Sequence, residues 1–190
     1  MEVKRIGSLE WSAQNLNTAH LTNGETIPEI KSIEELDTTS ENNMPGFVWP
    51  NFDPKLGKKF GRLYNRAAVF GSSGLIPDGW RVPTPADFDD LAKNAGILPL
   101  ANDSTMFEPD SASRKGDADK LDDVLSLQYA GYVLSDNYQN LSDGMYLWAA
   151  PKDDNESVVW LIHKDGGRKI VTMPKVVPGA YSLRLVRDAK

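Results

Sequence analysis

The chain of 190 residues has no cysteine, so disulfides, thiolate metal centres and cysteine nucleophiles are all excluded. It holds only two histidines, His20 and His163, far apart in sequence. A metal site built on that pair would need carboxylate partners that the sequence does not single out, so both are expected to be ordinary polar residues. No run of eighteen apolar residues occurs, and Met1 to Ile6 lacks the apolar core of an export signal. The expectation from that is a soluble chain retained where it is made. Bases fall short of acids, 21 against 27 for a net charge of −6, and no lysine–arginine block is long enough to track a phosphate backbone. The densest basic stretch, Lys55, Lys58, Lys59 and Arg62, is interrupted by apolar residues and reads as a solvated loop. Nucleic acid and membrane are therefore not expected partners. Neither a Gly-x-Ser-x-Gly elbow nor a Gly-x-x-x-x-Gly-Lys-Ser/Thr loop occurs, and Gly71-Ser72-Ser73-Gly74 has the spacing of a helix stop.

What is present is a core-forming 40% of hydrophobic residues punctuated by 12 prolines and 15 glycines. That mixture predicts short elements joined by many loops. Val3 to Trp11 reads as two strands around Gly7-Ser8. Asn15 to Ile30 is polar and extended, with a turn at Asn23-Gly24. Ser32-Ile33-Glu34-Glu35 has the form of a capping box and predicts a short helix ending before Thr38. Residues 39–60 read as a long loop pinned by aromatics, and Gly61 to Phe70 as a helix with Leu63, Tyr64, Ala67 and Ala68 on one face.

The strongest local signal lies over residues 83–96. Thr84 caps, Pro85 takes the first helical position, Asp87, Asp89 and Asp90 suit the positive helix end, and Gly96 closes the helix. Arg81 is placed to pair with Asp87 or Asp89 across that helix entry. Residues 97–124 form an irregular insert with one helical turn near Ala118 to Leu121. Five strands follow: Tyr129 to Leu134, Gly144 to Ala149, Val158 to His163, Arg168 to Thr172 and Tyr181 to Val186. The third and fourth of these are joined by an Asp165-Gly166 hairpin turn. Helices early and antiparallel strands late predict an α+β fold, with residues 1–190 as one domain.

Six segments occur in the order seen in one family. They are Trp11-Ser12-Ala13-Gln14-Asn15-Leu16, Gly61 to Ala68, Pro77-Asp78-Gly79-Trp80-Arg81-Val82-Pro83-Thr84 with its helix, Tyr129-Ala130-Gly131-Tyr132, Tyr146-Leu147-Trp148-Ala149-Ala150 and Tyr181 to Asp188. Together they resemble the Fibrobacter succinogenes major paralogous domain over nearly the whole chain. The sequence departs from that pattern at Val133, where arginine is usual, and at Ala149-Ala150, where serines are usual. The helix-entry stretch is also similar to sulfatase-modifying enzymes and to variable proteins of diversity-generating retroelements.

The resemblance implies a C-type-lectin-like fold: two or so short helices, a twisted, mainly antiparallel sheet, long loops, and paired terminal strands, with residues 2–6 beside residues 182–187. It implies loops gathered on one side for binding. The enzymatic branch of that superfamily holds copper on a cysteine pair or iron on a cluster of histidines, and this chain has no cysteine and only His20 and His163.

Non-enzymatic binding with no cofactor is therefore the expected role. Tyr138 stands among polar neighbours in Asp136-Asn137-Tyr138-Gln139-Asn140, a mixture of ring and amide well suited to contact surfaces. The candidate ligand-binding set is Asp136, Asn137, Tyr138 and Asn140, joined through the fold by Lys152, Asp153, Asp154, Lys175 and Tyr181. Trp11, Trp80, Trp148 and Trp160 are expected in the core. Calcium stays open at Glu108-Pro109-Asp110, which is similar to a sugar-binding triplet of calcium-dependent lectins. Expected partners are a protein or glycan surface, other virion proteins and copies of the chain itself. The expected location is a virion, as a tail-fibre, receptor-binding or head-decoration protein, or a bacterial cell surface as an adhesin. A purely structural self-assembling subunit and a relative of the sulfatase-modifying enzymes are the alternatives.

Overall fold

The computed structural model describes residues 2–97, 116–134, 137–165 and 167–189. The chain is α+β, with short helices and three small sheets whose ladders are antiparallel. β1 (Val3–Ile6) and β2 (Leu9–Ser12) form the expected opening hairpin. A nine-residue helix, α1 (Ile33–Glu41), starts where Ser32 accepts from the Glu35 amide at 3.2 Å. Glu35 reaches back to the Lys31 amide at 2.7 Å, one residue before the cap itself. This helix continues past Thr38, and Thr38 and Thr39 within it bond their hydroxyls to carbonyls one turn back, at 2.8 Å each.

Two stretches differ from the sequence expectation. Residues 39–60 are not one loop: after α1 come β3 (Phe47–Val48), two single turns and α2 (Gly57–Phe60). The expected helix at Gly61 to Phe70 divides into β4 (Leu63–Asn65) and α3 (Arg66–Phe70). Asn65 makes the switch. Its side-chain oxygen accepts from the Ala68 and Gly46 amides at 3.0 Å each, capping α3 while tying β4 to the β3 loop. Leu63 and Tyr64 are fully buried, as a strand covered on both faces must be.

α4 (Pro85–Asn94) matches its signals closely. Thr84 accepts from the Asp87 amide at 3.3 Å, and the Asp87 carboxylate accepts from the Thr84 amide at 2.6 Å. Arg81 grips the same carboxylate through both terminal nitrogens, at 2.5 and 2.9 Å. Burial raises the Asp87 pKa, but the hydrogen bonds from Arg81 and Thr84 outweigh it and hold the carboxyl below its usual range. Its folded pKa being depressed, this stabilisation is complete above the unfolded carboxylate value and disappears as pH falls through the folded value. Asp87→Ala is expected to cost about 1–2 kcal/mol at neutral pH. Urea midpoints taken from about pH 5 down to about pH 2 should fall more steeply in the wild type than in the variant.

α5 (Asp117–Leu125) is longer than the single turn expected, and it ends at Ser126 in a left-handed conformation. The late strands are β5 (Tyr132–Leu134), β6 (Tyr138–Gln139), β7 (Gly144–Ala149), β8 (Glu156–His163), β9 (Arg168–Pro174), β10 (Gly179–Tyr181) and β11 (Val186–Asp188). The sheets are ordered β1-β2-β11, β3-β4-β10-β5-β6 and β7-β8-β9. The expected strand Tyr181 to Val186 is thus split between two sheets.

The chain ends meet, with one correction. β11 pairs with β2, Val186 opposite Trp11, so residues 9–12 stand between residues 3–6 and the last strand. Below this junction Arg184 is fully buried and uses every donor of its guanidinium. Nε bonds Asn15 Oδ1 at 2.9 Å. Nη1 bonds the Ser12 and Leu125 carbonyls at 2.9 and 3.1 Å. Nη2 bonds the Ser126 carbonyl at 2.8 Å and Gln128 Oε1 at 3.4 Å. Burial lowers its pKa to about 9, which leaves it charged at neutral pH.

The β7-β8-β9 sheet separates two apolar clusters. Met145, Leu147, Val158, Trp160 and Ile162 face α4, α5 and Trp11. Tyr146, Trp148, Val159 and Leu161 face Tyr64, Tyr181 and Leu183. Trp11, Trp148 and Trp160 are buried as expected. Trp80 is half-buried, with the Arg187 guanidinium 4.5 Å from its ring centre. Among the described residues, no helix is long and apolar enough to cross a membrane.

Candidate functional site

Where β5 and β10 leave the middle of β7, aromatic rings form a continuous row. Phe70 meets Trp148 edge-on at 5.6 Å, Trp148 meets Tyr181 at 4.9 Å, Tyr181 stacks with Tyr132 at 6.0 Å, and Tyr132 lies 4.3 Å from Tyr146. His163 closes the row, 5.6 Å from Tyr146 and nearly perpendicular to it. The sequence pattern that builds it is strand alternation: Tyr146 and Trp148 share one face of β7, and the β8 register brings His163 across from Gly144. Burial pushes the Tyr146 and Tyr181 hydroxyls up in pKa, so they act as neutral donors and acceptors.

The outer end of the row is fixed by hydrogen bonds. Asn140 Nδ2 donates to the Tyr146 hydroxyl at 2.6 Å, and that oxygen lies 2.7 Å from His163 Nε2. Tyr132, directly across the β5-β6 ladder from Gln139, donates its hydroxyl to Gln139 Oε1 at 2.7 Å. Asn140 has φ +58°, a left-handed conformation that asparagine tolerates better than most residues. Gly131, at φ +67°, allows this hairpin to close, because a Cβ there would meet the Gln139 carbonyl at 2.2 Å.

A second feature lies beyond the other end of β7, where the turn between β7 and β8 projects. Asp154 pairs with Arg66 at 3.0 Å and with Lys175 at 3.7 Å. The Arg66 guanidinium also bonds the Asp154 carbonyl at 2.9 Å, and the Lys175 amide bonds the Asn155 carbonyl at 2.8 Å. The Arg66 hydrogen bond and then the Lys175 charge keep the Asp154 carboxyl below its ordinary range. Val176, at 83% exposure, stands next to this cluster. Four residues on from Lys175, Gly179 pairs with Leu134, so residues 175–178 link the β7-β8 turn to the end of β5.

The sequence-derived set divides accordingly. Asp154 and Lys175 come together, with Lys152 and Asp153 exposed on the same turn. Asn137 is exposed on the β5-β6 turn, its carbonyl accepting from Leu134 at 3.2 Å. Asp136 lies outside the described residues, as does the calcium triplet Glu108 to Asp110. Asn140 turns inward to Tyr146. Tyr138 is half-buried against the cluster around Phe60 and Val133, and its hydroxyl bonds the Ala130 carbonyl. Tyr181 is 2% exposed, with its hydroxyl 3.7 Å from Met173 Sδ, so it belongs to the floor of the aromatic row. Asn140 and Lys175 lie toward opposite ends of β7, whose six residues span about 17 Å.

Sequence reasoning missed Tyr132, Gln139, Tyr146 and His163 as a group. Tyr132 and Tyr146 were visible only inside family segments, and no spacing rule joins them to His163. Among the described residues, no group of three or more His, Cys, Asp or Glu side chains is placed to hold a metal ion.

These features define a loop-rich α+β domain whose termini are clasped by a buried arginine and whose sheet junction carries an aromatic row. The sequence model of the Fibrobacter succinogenes major domain matches residues 4–187. The chain belongs to that family. No curated protein and no solved structure matches the chain significantly.

Proposed function

We propose that the chain is a non-enzymatic recognition domain that docks on a protein or glycan surface, in the manner of C-type-lectin-like modules. The observation that carries this reading is the linked rim. The β7-β8 turn and residues 175–178 follow one another in space, the latter leading to Gly179 beside Leu134 at the end of β5, and the β7-β8 turn is held in place by Arg66 through its main chain and side chain. Turns pinned in this way lose little conformational entropy on binding, which favours specific contact over loose adhesion. Exposed Val176 among charged Lys152, Asp153 and Lys175 has the make-up of a contact patch with a polar border.

The setting we propose is display on a virion or a bacterial cell surface, where such a rim faces outward. A glycan array run beside a pull-down of purified virion and cell-envelope proteins tests the reading. Retention of a defined ligand, weakened several-fold by the charge reversals Lys152→Glu and Lys175→Glu, is expected. Retention unaffected by both reversals, or no retention in either format, contradicts it.

A further inference from the structure

We infer that the helical turns over residues 54–60, with Arg62 beside them, form a second recognition surface, one that takes a carboxylate-bearing polysaccharide. It shares no residue with the rim around Asp154 and Lys175.

The chain as a whole has a net charge of −6, yet Lys55, Lys58, Lys59 and Arg62 fall close together in it. Among the described residues, none of these four cations forms an ion pair. Their segment is a built platform rather than the solvated loop expected from sequence. The turn Pro54–Leu56 runs into α2 without a break, Leu56 and Gly57 both being right-handed helical, so Lys55, Lys58 and Lys59 share one face. All three are exposed. The platform is tied down from several sides. Asp53 accepts from the Lys55 amide at 2.9 Å, Asn17 donates to the Gly57 carbonyl at 3.1 Å, and Gln128 donates to the Lys59 carbonyl at 2.6 Å. Gly57 sits so close to Trp49 that a Cβ there would meet the indole at 2.2 Å.

Arg62 is brought beside α2 by the same Asn17, whose carbonyl and side-chain oxygens accept from Nη1 at 2.8 and 2.5 Å. Its guanidinium lies 4.3 Å from the Trp49 ring centre and 4.5 Å from that of Phe47. Its Nε is buried without a hydrogen-bond partner. A cation partly stripped of water and given no carboxylate by its own chain favours an anion brought from outside.

The surroundings select the carrier of that anion. The lysines are point charges on flexible stems, which suit successive single charges along a polymer better than one bidentate group. The exposed large hydrophobics among the described residues are Val3, Met44 and Val176, and none belongs to this stretch. A protein interface would need such an apolar centre. Trp49 is taken up by Gly57 and Arg62, whereas a single-stranded nucleic acid would need open rings on which bases stack. A hydrophilic chain of uronic acids asks for neither.

Isothermal titration with polygalacturonate tests the inference, with its neutral methyl ester, polyglutamate and oligothymidylate run in parallel. Saturable binding of polygalacturonate is expected, stronger than that of the other three. It should weaken as salt rises from about 0.1 M to about 1 M, which shortens the screening length from about 10 Å to about 3 Å. The combined reversal Lys55→Glu, Lys58→Glu and Lys59→Glu should weaken it by about tenfold or more, with a melting curve matching the wild type because all three side chains are exposed. Lys152→Glu and Lys175→Glu should leave it unchanged. No binding of polygalacturonate, binding indifferent to the triple reversal, or equal or tighter binding of polyglutamate, oligothymidylate or the methyl ester overturns the inference. Ligand retention through Lys152 and Lys175 is read in a separate assay, so either surface can fail without the other.

Discussion

Replacing Arg184 by methionine is expected to cost about 3–5 kcal/mol and to leave the chain largely unfolded at 37 °C, because buried groups that lose a charged partner keep their desolvation cost. The five acceptors around the guanidinium come from three parts of the chain: Ser12 and Asn15 after the first hairpin, Leu125 and Ser126 at the end of α5, and Gln128 just beyond. Methionine fills similar volume yet satisfies none of them. Lysine is not expected to rescue the fold, since a single ammonium on a flexible stem cannot address Asn15 and Gln128 at the same time. Urea denaturation of the wild type, Arg184→Met and Arg184→Lys measures the difference. A loss below about 1 kcal/mol for methionine would show that the clasp is dispensable.

Trp160→Ala should produce a loss of similar size by another mechanism. The indole lies in the α4-facing cluster at 1% exposure and stacks on Phe88 with ring centres 4.7 Å apart and planes 4° from parallel. Phe88 in turn meets Trp11 at 5.5 Å. One ring of β8 thus ties the central sheet to α4 and, through Phe88, to the terminal hairpin. Truncation removes a large buried surface and leaves a cavity that three separate elements cannot close, for about 3–5 kcal/mol. Trp160→Phe retains part of the stack and should lose less than half as much. Thermal unfolding followed by circular dichroism ranks the three proteins.

These two sites explain why the family resemblance was legible in sequence while the binding surface was not. The polar residues in the family segments do structural work. Ser12 accepts from the Leu185 amide at 3.0 Å, Asn15 joins Phe60 and Ser182, Asn65 caps α3, Arg81 grips Asp87, and Arg184 clasps the termini. Their spacing marks the fold because each has a fixed local or terminal partner.

Local chemistry was correspondingly readable. Thr84, Pro85 and Asp87 specify the start of α4 within four residues, and the hairpins β1-β2 and β8-β9 follow from turn residues and alternation. The errors came where burial overrides period. Leu63, Tyr64, Ala67 and Ala68 fit a helical stripe, yet the first two lie in a strand buried on both faces, and Asn65 starts a new element. Likewise Tyr181 and Val186 look like one strand, but the chain crosses from one sheet to another between them.

The site was harder still. Tyr138 has polar neighbours in sequence and was expected to be free, but the Gly131 turn folds it back over Ala130. The group that replaces it, Tyr132, Gln139, Asn140, Tyr146 and His163, depends on two ladder registers and one shared hydroxyl. No single sequence window holds that information.

The most direct test of the recognition role is to map the contact surface. Amide and side-chain NMR shifts of the labelled protein would be recorded while titrating the strongest ligand from the glycan array and envelope-protein pull-down. The expected result is a contiguous set of shifts over Lys152, Asp153, Asp154, Lys175 and Val176, with Arg184 and Trp160 unmoved. Shifts centred instead on the β1-β2-β11 sheet or the exposed face of α1 would contradict it.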